Sequence, residues 1–318
     1  MFRVAILDDY QAAALALADW RSLHPQATIE AFADHLDDLQ AVARRLHTFD
    51  GVVAMRERTP FPRALFEKLP NLRLLVTAGM RNAAIDLAAA TMHKVQVTGT
   101  DMLPYPTAEL TWGLILALFR NIPQEDRATR AGRWQTTLGL GLKGKTLGLL
   151  GLGRLGSQVA RVGNAFGMEV IAWSQNLTAE RAREAGAQLV SKDELFARAD
   201  VVTIHVVLSP RSRGLVGAAE LKRMKPTAFL VNTSRGPIVD EAALLESLRA
   251  KRIAGAGLDV FEPEPLPKDH PVLGLDNVVI TPHLGYVTEE GYRLAYGQAV
   301  ESIRAFLDGT VVRGLNEV

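Results

Sequence analysis

The segment Lys145-Thr-Leu-Gly-Leu-Leu-Gly-Leu-Gly-Arg-Leu-Gly156 decides which fold this sequence predicts. An apolar run with the character of a buried strand leads into Gly151, and a helical pattern follows Gly156. Together with Gly153, these two glycines form a G-x-G-x-x-G pattern. The pattern alone is weak evidence for a dinucleotide site, but it is much stronger evidence when it lies between a strand and a helix. The first glycine permits a tight turn, the second lets the backbone approach a pyrophosphate, and the third lets helix and strand pack closely. The pattern therefore predicts a dinucleotide-binding loop at a helix N-terminus, where free N–H groups attract phosphate. A glycine-rich turn without a ligand is the alternative.

Short β-rich runs alternate with helical patterns on both sides of this loop. Runs such as Leu74-Leu75-Val76 are apolar on both faces, as strands of a covered parallel sheet are. We therefore predict an α/β chain with two doubly wound parallel sheets. The predicted strands cover residues 4–7, 28–32, 52–55, 72–77, 95–98, 146–150, 169–173, 188–190, 201–205, 228–232, 253–258 and 278–281. The predicted helices cover residues 11–20, 36–46, 107–119, 157–166 and 289–307.

The composition limits the possible partners. The chain has 318 residues, 48% of them hydrophobic, and a formal net charge of +1, which favours neither nucleic acid nor an anionic membrane. The absence of cysteine excludes disulfides, thiolate metal ligands and a cysteine nucleophile, and no H-x-x-x-H pattern indicates a metal. The apolar run at 4–7 is too short for a signal peptide, and the run at 114–119 is too short to cross a bilayer. We expect a cytoplasmic protein that binds no membrane.

The strand after the glycine loop ends in Trp173-Ser-Gln-Asn176, where the dinucleotide fingerprint usually has an acidic residue for the ribose 2′-hydroxyl. Neither Asp nor Glu stands at this tip. Ser174 and Asn176 could instead donate to a 2′-phosphate, although no arginine is adjacent. The missing carboxylate removes a repulsive group against NADP but does not establish a preference for it. NAD and NADP both stay open as the cofactor.

Charged residues follow the later strands. Arg235, Asp259 and His283 each come directly after a predicted strand, and Glu264 lies in a proline-rich loop. Ligands bind beyond the carboxyl ends of the strands of an open parallel sheet. Each residue alone could be structural, as a surface ion pair, a loop cap or a buried histidine. Their occurrence at successive strand ends after a dinucleotide loop favours a catalytic site.

These groups suit the reduction of a 2-oxo acid by a nicotinamide cofactor. Arg235 can hold the substrate carboxylate bidentately and polarise the carbonyl. His283 can exchange the proton, because histidine is the residue type most often used for acid–base catalysis, and Glu264 can orient its ring. Asp259 could accept a hydrogen bond from the nicotinamide amide. His205, which ends another strand, either borders the adenine pocket or is structural.

With these residues the chain resembles the D-isomer-specific 2-hydroxyacid dehydrogenases. The likeness covers nearly the whole chain, more loosely over the first hundred residues, and its specific segments are 144–156, 221–240, 257–266 and 281–285. The resemblance implies a flavodoxin-like substrate domain over residues 1–100 and an inserted Rossmann cofactor domain over 101–285. It also implies that a C-terminal helix within 286–318 returns to the substrate domain. Members of this family are usually homodimers joined through the cofactor domain, and the resemblance implies that Trp134 lies in the dimer interface.

The resemblance also assigns individual residues. It implies a catalytic trio of Arg235, Glu264 and His283, and a contact from Asp259 to the nicotinamide carboxamide. The remaining implied site residues are Arg154 and Leu155 beside the pyrophosphate, Thr233 and Ser234 beside the nicotinamide riboside, the backbone amides of Ala78, Gly79 and Met80 for the substrate carboxylate, and Arg56 and Tyr105 as pocket candidates.

Three positions depart from the family pattern. Ser174 replaces the usual acidic residue, which leaves the choice of dinucleotide open. Tyr286 follows His283-Leu-Gly285 where small residues are more common, so it either narrows the pocket or only packs. Arg81 in the carboxylate loop either adds a charge for a larger acid or faces solvent.

The substrate class follows from the same likeness. The proline-rich stretch 263–267 with His270-Pro271 resembles the branch of glyoxylate and hydroxypyruvate reductases and glycerate dehydrogenases. Phosphoglycerate dehydrogenase is the alternative enzyme, which the short C-terminal segment disfavours because we expect no fused regulatory domain. A dinucleotide-sensing, corepressor-like binding protein of the same fold is the alternative outside the enzymes. The complete trio favours a dehydrogenase of small D-2-hydroxy or 2-oxo acids, with the acid and the direction open.

Overall fold

The computed structural model describes all residues, 1–318, and the chain divides into two compact units. The first unit combines residues 1–103 with 287–318, and the second comprises 104–286. The sequence places these boundaries at 100/101 and 285/286, whereas the structure places them at 103/104 and 286/287. The last segment of the chain is therefore part of the first unit.

All twelve strands run parallel to their neighbours within two sheets. The first unit contains β1 (Phe2–Ile6), β2 (Ala27–Ala31), β3 (Gly51–Ala54), β4 (Leu74–Thr77) and β5 (Gln96–Gly99). The second unit contains β6 (Thr146–Leu150), β7 (Glu169–Trp173), β8 (Gln188–Leu189), β9 (Val201–Ile204), β10 (Phe229–Asn232), β11 (Gly255–Leu258) and β12 (Val278–Ile280).

Helices cover the sheets and connect successive strands. Their bounds are α1 (Ala14–Leu17), α2 (Leu39–Leu46), α3 (Arg63–Phe66), α4 (Leu87–Met92), α5 (Pro106–Phe119), α6 (Ile122–Arg130), α7 (Arg154–Ala165), α8 (Ala179–Glu184), α9 (Lys192–Arg198), α10 (Ala218–Arg223), α11 (Glu241–Arg249) and α12 (Glu289–Leu307). Three short 3-10 helices lie at Trp20–Leu23, Gly236–Ile238 and Pro271–Gly274. None of these helices combines the length and the apolar composition that spanning a bilayer requires.

The first unit has the strand order β2-β1-β3-β4-β5, which is that of a flavodoxin-like sheet. The strands β3, β4 and β5 are buried at every position, as expected for a sheet covered on both faces. The C-terminal segment adds to this unit, because Asn316 Oδ1 accepts from the Val97 N–H of β5 at 2.7 Å. The Leu315 N–H also donates to the Val97 carbonyl at 2.8 Å.

The second unit has the strand order β12-β11-β10-β9-β6-β7-β8, the doubly wound arrangement of a Rossmann sheet. Helix α5 packs against β10 and β11 through an almost wholly apolar surface. The registers align the last residues of neighbouring strands: Leu150 is opposite Ile204, and Ile204 is opposite Asn232. Asn232 is in turn opposite Leu258, and Leu258 is opposite Ile280. The loops that follow β6, β9, β10, β11 and β12 therefore leave one edge of the sheet at the same level.

The predicted α/β class with two doubly wound parallel sheets is confirmed, and several element bounds are corrected. The predicted helix at 11–20 is only one turn, Ala14–Leu17, because Ala18 adopts an extended backbone and Trp20 begins a separate 3-10 helix. Helix α7 begins at Arg154 rather than at residue 157, so the glycine loop itself contains the first helical turn. The strand predicted at 253–258 begins only at Gly255.

Candidate active site

The glycine loop has the backbone geometry that each of its glycines was predicted to supply. Gly151 has φ +103°, and a Cβ there would lie 2.8 Å from the carbonyl of His205. A Cβ on Gly156 would overlap the Gly151 carbonyl oxygen, so this position accepts no side chain. A Cβ on Gly153 would meet no protein atom within 4 Å. The open side of Gly153 is where a bound group could approach the backbone.

The N-terminus of α7 is not capped by a protein side chain. Gly153 is the N-cap residue, and the first helical hydrogen bond runs from Ser157 N–H to the Gly153 carbonyl at 2.9 Å. The N–H groups of Arg154, Leu155 and Gly156 come before that bond and point out of the helix end. Because these donors and the helix dipole attract anions, the loop fits a dinucleotide pyrophosphate.

Ser174 follows β7 directly and is half-buried. Its carbonyl accepts from the Leu177 N–H at 3.1 Å, which closes the turn, while Gln175 and Asn176 are exposed. The nearest arginines that follow in the sequence, Arg181 and Arg183, lie on α8. No acidic side chain occupies 174–176, so this turn lacks the group that would repel a 2′-phosphate.

Asn232, the last residue of β10, fixes the turn that contains Thr233, Ser234 and Arg235. Its Oδ1 accepts from the Ser234 N–H at 3.0 Å, and its Nδ2 donates to the Arg235 carbonyl at 2.9 Å. The Ser234 hydroxyl donates to the Val206 carbonyl at 2.6 Å, which ties this turn to the loop after β9. Arg235 Nη1 donates to the Ser234 carbonyl at 2.8 Å. The sequence named three residues of this turn but not Asn232.

Thr233 is buried and shares a hydrogen bond of 2.8 Å with the hydroxyl of Thr111 on α5. The Thr233 hydroxyl therefore already has a hydrogen-bond partner within the protein. The predicted place of Thr233 and Ser234 beside a nicotinamide riboside stays a prediction.

Asp259 has no exposed surface and binds the segment that carries His283. Its Oδ1 accepts from the Thr281 hydroxyl at 2.6 Å and from the Leu284 N–H at 2.7 Å, and its Oδ2 accepts from the Gly285 N–H at 2.9 Å. Burial raises the pKa of the Asp259 carboxyl, opposed by these hydrogen bonds. The structure thus gives Asp259 a positioning role that the sequence did not predict. Its predicted contact with a carboxamide remains untested.

Glu264 and His283 form the direct contact of the proposed trio. His283 Nδ1 and Glu264 Oε2 are 2.6 Å apart, and the other Glu264 oxygen accepts from the Phe261 N–H at 2.8 Å. The His283 N–H donates to the Asp259 carbonyl at 2.8 Å, while its backbone has φ 56°. With Nδ1–H donated to the carboxylate, Nε2 is the ring nitrogen left for a substrate. The side chains are 20% and 32% exposed, so both are partly shielded and still reachable.

The sequence also suggested two tyrosines, Tyr286 and Tyr105, as residues of the substrate pocket. The ring of Tyr286 lies 5.4 Å from that of His283 at an interplanar angle of 78°, an edge-to-face contact. Tyr286 therefore packs on the proposed acid–base residue. Tyr105 precedes α5 and is 39% exposed, and its place in a substrate pocket stays a prediction.

His205 lies beside the glycine loop, where its backbone contacts Gly151 and its N–H donates to the Leu150 carbonyl at 2.8 Å. Its Nε2 is 3.1 Å from the Thr203 hydroxyl. Burial lowers the pKa of His205 to about 4. The imidazole is therefore neutral at pH 7 and adds no positive charge to the loop.

In the first unit, the loop after β4 is tightly bonded. The Ala78 N–H donates to the Ala54 carbonyl at 3.0 Å, and the Gly79 N–H donates to the Thr100 hydroxyl at 3.1 Å. The N–H groups of Ala78 and Gly79 therefore already have acceptors within the first unit, and the predicted role of this loop in binding a carboxylate stays a prediction. Arg56 follows β3, and its Nη1 lies where a Cβ of Gly79 would be. Arg81 is exposed, as the solvent-facing alternative requires.

Comparison with known proteins shows which family this chain belongs to. The family model described as the D-isomer specific 2-hydroxyacid dehydrogenase NAD-binding domain matches residues 112–285, more than half of the chain. The chain belongs to the D-isomer-specific 2-hydroxyacid dehydrogenases. As a member of this family it is an oxidoreductase that uses a nicotinamide dinucleotide on 2-hydroxy acids.

The relatives of this dehydrogenase include glyoxylate reductases and enzymes named for phosphoglycerate. It is 42% identical to the glyoxylate reductase of Aeropyrum pernix over 257 residues, which cover 78% of this chain and 77% of that protein. It is 41% identical to the D-3-phosphoglycerate dehydrogenase of Methanocaldococcus jannaschii over 268 residues. These cover 83% of this chain but 51% of that protein, so the chain spans about half of its length. A solved structure of a phosphoglycerate oxidoreductase from Vibrio cholerae O395 has a TM-score of 0.93 and 36% identity, and covers 98% of this chain and 100% of its own.

Proposed function

We propose that this dehydrogenase reduces a small 2-oxo acid of the glyoxylate or hydroxypyruvate type to the D-2-hydroxy acid, with His283 as the proton donor. The observation that carries the proposal is the 2.6 Å contact of His283 Nδ1 with Glu264 at the sheet edge that also carries the glycine loop. That contact orients the ring, because Nδ1 faces the carboxylate and Nε2 is left for the substrate.

In the proposed reaction the cofactor and three side chains each have a separate role. The cofactor, when bound, supplies a hydride for the carbonyl carbon of the acid. Arg235 binds the substrate carboxylate and polarises the carbonyl. His283 Nε2–H gives its proton to the carbonyl oxygen, and Glu264 keeps the imidazole in the tautomer and orientation that this transfer needs. In the opposite direction His283 accepts the hydroxyl proton.

The backbone donors and short side chains of the second unit are proposed to hold the cofactor. We assign the pyrophosphate to the N–H groups at 153–156, because this loop has open space at Gly153 and an uncapped helix N-terminus. Ser174 is assigned to the adenosine ribose, while Ser234 and Asp259 are assigned to the nicotinamide side. The choice between NAD and NADP stays open.

A panel of substrates and both reduced cofactors tests the proposal. Purified protein is mixed with NADH or NADPH and with glyoxylate, hydroxypyruvate, pyruvate, 3-phosphohydroxypyruvate or a bulkier 2-oxo acid, and the loss of absorbance at 340 nm is followed. We expect the highest kcat/KM for glyoxylate or hydroxypyruvate. A higher kcat/KM for 3-phosphohydroxypyruvate would support the phosphoglycerate alternative. No oxidation with any pair, despite cofactor binding, would support the dinucleotide-sensing alternative.

We also propose that the protein is a cytoplasmic homodimer joined through its second unit. Between α5 and β6 this unit exposes large apolar side chains, among them Trp134 at 78% and Leu138 at 96%. Such residues are costly to leave in water together, and a second copy of the chain would cover them.

A further inference from the structure

Two threonines of α5, Thr107 and Thr111, lie on one face of the helix because they are four residues apart. The helix packs against β10 and β11, and Thr111 has no exposed surface. A buried hydroxyl is costly unless it is hydrogen-bonded. The partners of these two side chains are therefore informative about their role.

The Thr111 hydroxyl has two partners but only one hydrogen to donate. It donates to the Thr107 carbonyl, which lies one turn earlier in the helix, at 2.8 Å. A carbonyl oxygen can only accept, so the contact of 2.8 Å between the hydroxyls of Thr111 and Thr233 uses the hydrogen of Thr233. Thr233 therefore donates to Thr111, and this bond holds the buried Thr233 side chain against α5.

The bond from Thr233 to Thr111 joins the turn after β10 to the helix. The next residue of the turn, Ser234, donates from its hydroxyl to the Val206 carbonyl at 2.6 Å, which joins the same turn to the loop after β9. Arg235 follows directly. The backbone that carries Arg235 is thus attached to two neighbouring elements through the two residues before it.

The Thr107 hydroxyl joins the same helix to the segment that follows His283. It donates to the Gly285 carbonyl at 2.8 Å, while the Gly285 N–H donates to Asp259 Oδ2 at 2.9 Å. A Cβ on Gly285 would lie 3.2 Å from both Asp259 Oδ2 and Thr107 Oγ1, closer than an ordinary contact. Gly285 is therefore held tightly between a strand end and the helix, two residues after His283.

We propose that Thr111 and Thr107 are positioning residues, through which α5 fixes the turn of Arg235 and the segment of His283 relative to each other. Reduction of a 2-oxo acid requires the carboxylate and the carbonyl oxygen to be held at the same time, and small displacements of such groups lower the rate strongly. One helix bonded to both loops limits their independent movement. The inference rests on the proposed function for the roles of Arg235 and His283, and neither threonine belongs to a motif that the sequence predicts for the site.

Removal of the two hydroxyls should have different kinetic effects. Thr111→Val keeps the shape of the side chain but releases the turn of Arg235, so KM for the 2-oxo acid should rise about tenfold with a smaller change in kcat. Thr107→Val releases the Gly285 carbonyl, so kcat should fall about tenfold with a smaller change in KM. Both constants are measured with saturating reduced cofactor.

Rescue by a hydroxyl distinguishes positioning from packing. Thr111→Ser and Thr111→Ala have nearly the same size and differ by one hydroxyl. The serine variant should keep KM within about threefold of wild type, while the alanine variant should show the rise of about tenfold expected for valine. This pair also tests the inference if the valine variant does not fold.

Binding of oxamate, an unreactive analogue of a 2-oxo acid, is measured by calorimetry on each protein saturated with reduced cofactor. Its Kd should follow KM through the variants of Thr111.

Thr146→Val is the matched control, because it removes a buried threonine hydroxyl from the same unit. Thr146 is the first residue of β6, at the end of the strand opposite to the glycine loop, and it donates to Glu169 Oε2 at 3.4 Å. Its kcat, KM and oxamate Kd should stay within about twofold of wild type.

The inference is wrong if the variants of Thr107 and Thr111 melt at lower temperature but keep the kcat, KM and oxamate Kd of Thr146→Val, since the hydroxyls then only stabilise the fold. Equal KM values for Thr111→Ser and Thr111→Ala would also overturn it. If wild-type protein turns over no 2-oxo acid but oxamate binds more weakly to Thr111→Ala than to Thr111→Ser, the proposed function fails and the positioning role of Thr111 survives. A wild type that neither turns over a 2-oxo acid nor binds oxamate would overturn both.

Discussion

His283 is held in its position by bonds to its backbone and to its ring. Its N–H donates to the Asp259 carbonyl, the segment after it is bonded to the Asp259 carboxylate, and Nδ1 contacts Glu264. Together these bonds outweigh the strain of φ 56° and leave Nε2 as the nitrogen to which we assign the proton transfer. A catalytic histidine placed this way loses little entropy when the substrate arrives, which is how preorganised sites gain rate.

His205 gives a prediction on how stability depends on pH. Its folded-state pKa of about 4 lies below the ordinary value of 6.5, so between these values the unfolded chain binds more protons than the folded one. Stability is therefore complete above pH 6.5 and declines as the pH falls toward 4. By linkage, His205 should cost the folded state about 2 kcal/mol at pH 5 relative to pH 7.

Urea unfolding at pH 7 and pH 5 checks this, with His205→Gln as the variant that keeps a polar side chain but cannot titrate. Between pH 7 and pH 5 the free energy of unfolding should fall by about 2 kcal/mol more in the wild type than in the variant. Equal losses in the two proteins would show that His205 is not buried in a neutral state.

At the scale of elements, we assign the cofactor pyrophosphate to the glycine loop and the start of α7, and a pair of glycine variants tests this assignment. A Cβ at Gly153 meets no protein atom, so Gly153→Ala should fold with nearly wild-type stability. The added methyl nevertheless occupies the side from which a pyrophosphate would approach, so the Kd for NADH should rise by at least about tenfold, which is about 1.4 kcal/mol.

Gly141→Ala is the matched control, because a Cβ there also meets nothing within 4 Å but lies outside the loop. Calorimetry with NADH and thermal melts are run on both proteins. If both bind NADH like wild type, the pyrophosphate does not rest on Gly153.

Most elements could be predicted because they depend on local patterns, and the Glu264–His283 contact could be predicted because strand ends converge. The buried strands are short apolar runs, the glycine loop has fixed spacing, and strand ends converge in any parallel sheet. The contact of Glu264 with His283 followed from that convergence. The short helix α1 could not be predicted from the amphipathic pattern at 11–20, because its N-terminus depends on the Asp9 carboxylate and its end on the extended backbone of Ala18.

Most of the contacts that sequence reasoning missed join positions that lie far apart in the chain. Thr111 and Thr233 are 122 positions apart, so no periodicity could pair them. For Asp259 the sequence suggested only a contact with the cofactor, and the structure adds that its carboxylate is bonded to the segment that carries His283. Asn232 could have been found, since an asparagine whose side chain bonds the backbone two residues on is a common turn signal.

At the scale of the whole molecule, the proposed dimer gives a prediction on mass. The chain has a mass of 34.6 kDa, so light scattering after gel filtration should give about twice that value. Trp134→Glu places a charge on the exposed apolar segment and should shift the protein toward the monomer mass, since burying an unpaired charge is costly. Met92→Glu is the control, because Met92 is also 64% exposed but belongs to the first unit. A wild type that runs as a monomer would contradict the dimer.

The central claim is that His283 transfers the proton in a dinucleotide-dependent reduction. The measurement that tests it most directly is kcat for reduction of the preferred 2-oxo acid by His283→Asn, with the Kd of the reduced cofactor measured on the same protein. Asparagine keeps a polar side chain but cannot act as the acid, so kcat should fall by about 10²- to 10⁴-fold while the cofactor Kd stays within about twofold. A His283→Asn protein that binds cofactor and turns over at nearly the wild-type rate would contradict the account.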